Sequence, residues 1–296
     1  MLCFHPRDLK IQEKISWNHY VDKWIRVPCG RCVACRRRRQ QDWSLRIQHE
    51  AEHCMKAGGT CYFITLTYAP EHLKYKVDKD TGEQYDIPSV CPTDPGLFMR
   101  KFRKRYGSPC RYFCCGEYGK QFDRPHLHLM LFLSTQETSD SLRPLVEKSW
   151  PFGIVKGIYP FSVKLSEYIS KYSMKQFGDD YTKKEKPFAR MSLKPAIGAS
   201  YLTDKIKVLH RKTKSFVAHD CTGTIFALPR YYRDRIFSKQ EIEAQSNSVQ
   251  RMRYSADLAL MRKDPNCLLK RYQANVRFED NLIFKLQTSY AGSNEF

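Results

Sequence analysis

The residues with the greatest chemical reach lie near the middle of the chain. His126-Leu127-His128 leads into the apolar run Leu129 to Leu133, and Arg111 to Gly119 precedes it across a short polar connection. Side chains alternate along a strand, so a strand-turn-strand here places His126 and His128 on one face and Leu127 and Leu129 on the other. In an antiparallel pair, Glu117 falls opposite or diagonal to one of the histidines. Two imidazoles and a carboxylate, with positions left for water and substrate, suit a divalent ion such as Mg²⁺ or Mn²⁺; histidines alone favour softer metals. The competing reading is a structural pair of imidazoles bonded to backbone, with Glu117 in a turn.

A second group sits on the segment Ser162 to Phe177, whose pattern predicts a helix. Tyr168 and Tyr172 are four residues apart and share a face; Lys175 lies on that face and Lys171 near its edge. A tyrosine becomes a nucleophile once its phenol, with a free pKa of about 10, is partly deprotonated, and lysine or metal charge aids this. Two unreactive helix tyrosines are the plainer alternative. A third group is Cys29, Cys32 and Cys35, spaced as half a zinc site, with Cys3 or His5 available as a fourth ligand. Reduced thiols packing a turn would explain the same spacing. Arg36, Arg37, Arg38 and Arg39 follow directly, either a phosphate contact or a solvated face.

These groups need elements to hold them. Aromatic and β-branched residues predict a strand at 61–68, and further strands are expected at 111–119, 126–133 and 153–159. A helix is expected from about Arg37 to Lys56, with Trp43, Ile47, Ala51 and Cys54 on its apolar face and Gly58-Gly59 ending it. It contains His49-Glu50-Ala51-Glu52-His53, the H-E-x-x-H of zinc peptidases. Both histidines fall off the apolar stripe and no third follows, so two surface histidines are expected instead. Asp94-Pro95 opens another helix to Tyr106, with Leu97, Phe98 and Phe102 inward and Arg100, Lys101, Arg103, Lys104 and Arg105 mostly outward as further DNA-binding candidates. Asp78 to Gly82 resembles a calcium loop with its glycine one place early, and reads better as a hairpin turn. Ser139 to Trp150 is expected to be helical, residues 179–200 loop-rich, and the tail from Ser238 charged and mostly helical.

The 296 residues hold 51 Lys and Arg against 31 Asp and Glu, a net charge of +20, which points to a polyanionic partner. Met1 to Lys10 has no apolar core and no stretch suits a bilayer, so a soluble intracellular protein with reduced thiols is expected despite 12 cysteines. No phosphate-binding G-x-x-x-x-G-K-[ST] motif occurs, so nothing suggests a nucleotide-driven helicase.

Taken in order, these motifs resemble the HUH (His-hydrophobe-His) endonucleases, and most closely the gokushovirus-type replication initiators of microviruses. Cys29 to Arg36, Trp43 and His49-Glu50-Ala51 are similar to that family's N-terminal signature. Phe63 to Tyr68 resembles its first motif, Gly116 to Gly119 with Arg124 to His128 its second, and Tyr168 to Lys175 its two-tyrosine third. Arg190 to Gly198 and Pro229 to Tyr232 resemble its C-terminal signatures, with Ala196 standing where glycine is expected.

The resemblance implies an α+β fold: an antiparallel, ferredoxin-like sheet with helices on one face. A Cys-rich basic segment and helix (1–57), the nickase domain (58–236) and a helical tail (237–296) would follow one another. It implies rolling-circle initiation in the host bacterial cytoplasm. Single-stranded or origin DNA would be nicked through a 5′-phosphotyrosine, leaving a 3′-OH primer, and rejoined at termination. His126, His128 and Glu117 would hold Mg²⁺ or Mn²⁺, Tyr168 and Tyr172 would attack, and host helicase and polymerase would be partners. A related HUH transposase or relaxase, or a non-catalytic zinc-ribbon DNA-binding protein, is the alternative.

Overall fold

A computed structural model describes residues 3–17, 19–119, 122–172, 181–267, 269–274, 276–278 and 281. The chain divides into two compact units, Met1–Arg39 with Gln240–Phe296, and Gln40–Lys239.

In the first unit, β1 (Arg7–Ser16) and β2 (His19–Val27) form an antiparallel ribbon. This stretch shows no clear pattern in the sequence because both its faces mix apolar and charged residues. Helix α1 (Val33–Lys56) begins in this unit and continues into the second.

The second unit is built on a five-stranded, wholly antiparallel sheet. Its strands are β3 (Thr60–Tyr68), β6 (Cys110–Tyr118), β7 (Pro125–Leu133), β8 (Gly153–Pro160) and β9 (Phe188–Met191), in the order β8-β3-β7-β6-β9. Four of them match the strands expected from sequence to within a residue. A hairpin of β4 (Lys74–Val77) and β5 (Gln84–Ser89) lies between β3 and α2 (Asp94–Tyr106), with the turn at Asp78 to Gly82 as expected. Then α3 (Ser139–Ser149) links β7 to β8, and α4 (Val163–Tyr172) follows. The succession β3-α2-β6-β7-α3-β8, with strand order 4-1-3-2, is the split βαββαβ topology. Smaller elements complete the unit: α5 (Asp204–Thr213), which sequence reading passed over, the ribbon β10 (Val217–His219) with β11 (Ile225–Ala227), and α6 (Arg230–Ile236). Finally α7 (Lys239–Lys263) leads into the tail.

One expectation needs correction. Helices cover both faces of the sheet, not one. Phe98, Met99 and Phe102 of α2 and Leu142 and Val146 of α3 pack with Leu127, Leu129, Leu131 and Leu133. Ile47 and Ala51 of α1 and Ile169 of α4 pack on the other side, against Phe63, Phe113, Cys115, Met130 and Phe132. The reason lies in β7, whose alternate residues are apolar on both faces beyond His128. Leaving either face wet forfeits about 25 cal/mol for each Å² of apolar surface, so the sheet needs two covers.

Candidate active site and metal centres

Strand register gathers the first candidate group. Glu117 pairs directly with His126, and Cys115 with His128, across β6 and β7. On the other side of β7, Thr67 pairs with His126 and Thr65 with His128. Directly paired residues share a face, so Thr65, Thr67, Glu117, His126 and His128 form one polar patch at the end of an otherwise apolar face. His128 Nε2 donates to Glu117 Oε1 at 2.7 Å, and its Nδ1 lies 3.1 Å from Thr65 Oγ1. Both Glu117 and His128 are buried. His126 Nδ1 donates to the Pro125 carbonyl at 2.8 Å, which leaves Nε2 as the ring's acceptor. That atom borders Gly119, where an added Cβ would stand 3.1 Å away. Loss of solvation, then the neighbouring His128, lowers the His126 pKa to about 4. At neutral pH it is therefore an uncharged imidazole with a lone pair to offer, the form that binds metal.

Helix α4 brings the tyrosine. It is tied down by Ser166 Oγ to Ser44 Oγ of α1 at 3.1 Å and by Cys115 Sγ to the Ile169 carbonyl at 3.6 Å. The half-exposed Tyr168 ring thus stands edge-on to His128, centroids 5.6 Å apart, and to Phe63 at 5.8 Å. Lys171 is exposed on the same helix. The Tyr172 side chain and Lys175 lie outside the described residues, as does the expected helix beyond 172.

Other expected DNA contacts stand elsewhere. Arg100, Lys101, Arg103 and Lys104 are exposed on α2, which covers the sheet face opposite the histidines. Arg36, Arg37, Arg38 and Arg39 are in the first unit, at the start of α1. Sequence reading missed Thr65 and Thr67, although the alternation Phe63-Ile64-Thr65-Leu66-Thr67 signals two hydroxyls on one strand face. It also missed Lys156 of β8, whose positive charge is among those felt by His126.

The second candidate centre lies in the first unit. The sulfurs of Cys3, Cys29, Cys32 and Cys35 all fall within 4.8 Å of one another, so Cys3 rather than His5 completes the set. Cys3 Sγ and Cys32 Sγ are 3.8 Å apart. Tetrahedral zinc with Zn–S bonds near 2.3 Å sets its sulfurs about 3.8 Å apart, so the four could hold a metal such as zinc. Although burial opposes ionisation of Cys29, N–H donors from Cys32 and Arg31 bring its thiol down to about 6. Cys29 N–H in turn donates to Cys3 Sγ at 3.2 Å.

The H-E-x-x-H segment forms no third centre among the described residues. His49 is buried rather than on the surface, which corrects the sequence reading; His53 is exposed. His49 Nε2 donates to the His219 carbonyl at 3.0 Å, its Nδ1 meets Tyr232 Oη at 3.1 Å, and its ring stacks on Tyr201 at 4.2 Å. Glu50 pairs with Arg111 and accepts the Gly198 N–H at 2.7 Å. Arg46 donates twice to the Ile197 carbonyl. Gly198 has a left-handed φ of 76°, and a Cβ there would lie 2.4 Å from Tyr232 Oη. The segments 190–198 and 229–232 are therefore a clamp on α1, remote in kind from any reaction.

Comparison with known proteins bears on this arrangement. Residues 61–177, which span β3 to the tyrosine helix, match the family model of the phage replication-associated protein ORF2. The resemblance to phage replication-associated proteins therefore holds. Among curated relatives, the chain is 24% identical to replication-associated protein ORF2 of Spiroplasma virus 4, over 80% of each chain. It is 27% identical to replication-associated protein VP4 of Bdellovibrio phage phiMH2K, over 70% of this chain and 66% of that one. It is 23% identical to replication-associated protein ORF4 of Chlamydia phage 1, over 70% and 53%. No solved structure matches at a significant level. Among the described residues no helix is long and apolar enough to cross a membrane.

Proposed function

We propose that this protein initiates phage rolling-circle replication as an HUH-type nickase and strand-joining enzyme. The observation that carries the reading is the Tyr168 ring set edge-on to His128, whose own ring is bonded to Glu117, with His126 beside them on the same sheet face. A nucleophile, two imidazoles and a carboxylate meet there within a region that matches a replication-associated family.

The donor set fits Mg²⁺ or Mn²⁺. His126 and His128 present imidazole nitrogens and Glu117 a carboxylate oxygen, and Thr67 Oγ1, paired with His126 in register, is buried without a partner among the described residues. Those three residues would hold the ion, which supplies positive charge to a DNA phosphate under attack. In the step itself, Tyr168 Oη bonds to phosphorus while the P–O3′ bond breaks. The phenol proton passes to solvent and the departing oxygen takes one up. A 5′-phosphotyrosine and a free 3′-OH result, the latter a primer for synthesis. Rejoining runs the same exchange backwards, a 3′-OH displacing the phenol. Tyr172, one turn along, would serve a second round while Tyr168 still holds DNA. Lys171 and Lys175 would offset the charge on phosphate oxygens. The four cysteines would hold a structural Zn²⁺.

The test uses labelled viral-strand origin fragments with Mn²⁺, followed by denaturation. A covalent protein–DNA adduct is expected, and Tyr168→Phe with Tyr172→Phe together should remove it. Failure of the wild-type protein to form an adduct on any origin fragment rejects the nickase. About one zinc per chain should survive dialysis, and a folded, zinc-free protein rejects the structural site.

A further inference from the structure

We propose that the β1–β2 ribbon is a stacking arm for single-stranded DNA, separate from the histidine site. In β2 the residues alternate with period two. Lys23, Ile25 and Val27 are half-buried, while Asp22, Trp24 and Arg26 are exposed. Lys23 pairs with Glu243 of α7, so the odd-numbered face has a neighbour within this unit. An antiparallel ribbon with one wet face normally sets polar residues there. Here the wet face carries Trp24, 67% exposed, and Tyr20, 54% exposed, and the turn carries Trp17, 86% exposed. Burying none of these rings forgoes several kcal/mol of apolar transfer on the usual scale, and nothing in folding requires aromatics at such positions.

The surroundings of the rings identify the partner. Lys10 stands directly across from Trp24, and Arg26 follows two residues on, on the same face. Each is paired with an exposed carboxylate, Lys10 with Asp22 at 2.7 Å and Arg26 with Asp8 at 3.5 Å. Exposed pairs of this kind are worth so little that a phosphate replaces the carboxylate readily. Residues 1–39 hold ten Lys and Arg against three Asp and Glu, so the arm lies in a strongly positive segment. Flat rings interleaved with cations match a strand whose bases are unstacked; in a duplex the base faces are already covered. Tyr20 and Trp24 are four residues apart on one strand, about 13 Å, so each ring takes a different base.

A lone two-stranded ribbon is marginal in water. This one is held at its root. Cys3 precedes β1, Cys29 follows β2, and Cys32 and Cys35 open α1, so the cysteine cluster ties both ends of the ribbon to a helix. The root is rigid while the aromatic end projects, which is the arrangement a stacking arm needs.

The test is titration of the full chain with fluorescent oligothymidylate, without divalent metal so that no cleavage intervenes. Trp24→Ala and Tyr20→Ala should each weaken binding about tenfold, and Trp24→Phe, which keeps a ring, should stay within about threefold of wild type. The slope of affinity against salt should not change in these variants, because stacking releases no counterions. Since both side chains are exposed, unchanged circular dichroism and cysteine-bound metal content are expected and would show the ribbon intact. Tyr168→Phe should bind oligothymidylate like wild type, so loss of nicking and loss of stacking are separable. Wild-type affinity in the double alanine variant overturns the proposal. So does a variant that binds DNA normally but loses self-association, which would make the ribbon a protein interface instead.

Discussion

One strand, β7, has two faces with opposite tasks. Its odd residues Leu127, Leu129, Leu131 and Leu133 are fully buried under α2 and α3. Its even residues begin as His126 and His128 and turn apolar only at Met130 and Phe132, under α1 and α4. The two sets share a backbone and differ by alternation alone. The leucine face makes the strand immobile, and the histidine face inherits that rigidity. Groups intended for chemistry must be held to a fraction of an ångström, and a central strand locked from behind achieves this better than a loop does.

Substitutions on the two faces should therefore separate stability from activity. His128→Ala removes a proposed metal ligand and the partner of Glu117, and should lower adduct formation about a thousandfold or more while the protein stays folded. A quantitative adduct assay beside thermal melting checks this; comparable losses in both would erase the distinction between the faces. Leu129→Ala, one residue away, should show the reverse. It should cost about 3 kcal/mol of stability, measured by urea unfolding, with adduct formation by the remaining folded protein little changed.

The clamp on α1 gives a pH-dependent version of the same contrast. Burial lowers the pKa of His49 below its usual 6.5, so the folded protein binds fewer protons there than the unfolded chain. Its contribution to stability is full above about pH 6.5 and is lost as pH falls through that value towards the folded pKa. The melting temperature of wild type should therefore drop more steeply between about pH 7 and 5 than that of His49→Gln. Parallel curves would mean that His49 is not buried as a neutral ring. The smallest effect is expected at Thr65→Val, which removes the hydroxyl beside His128 Nδ1. Adduct formation should fall about tenfold, with stability changed by only about 1 kcal/mol.

Local pattern made much of this legible. Four sheet strands and α2 and α3 follow from β-branched runs, an Asp-Pro start and helical periodicity, signals that survive without tertiary context. The pairing of Glu117 with His126 follows from connection length and alternation. Other features were not legible for identifiable reasons. The ribbon β1–β2 has no clean binary pattern, because it puts aromatic residues on its exposed face. His49 looked like a surface residue because it lies off the stripe of α1 that meets the sheet; α6 and the 196–201 segment bury it from another side, and periodicity in one helix cannot report a second neighbour. The covering of both sheet faces was missed because the sequence does not state where α1 packs.

The sequence by itself determined the chemical vocabulary: two histidines and a glutamate in β register, tyrosines at helical spacing, cysteines at knuckle spacing and an excess of positive charge. Each depends only on residues close in the chain, where backbone geometry dictates the spacing. Only the tertiary structure decided which of these meet. It set Tyr168 against His128 through contacts from α4 to α1 and β6, chose Cys3 to complete the cysteine cluster, and placed the basic face of α2 behind the sheet, away from the histidines. Those outcomes rest on long-range packing, which the order of residues along a chain constrains but does not display.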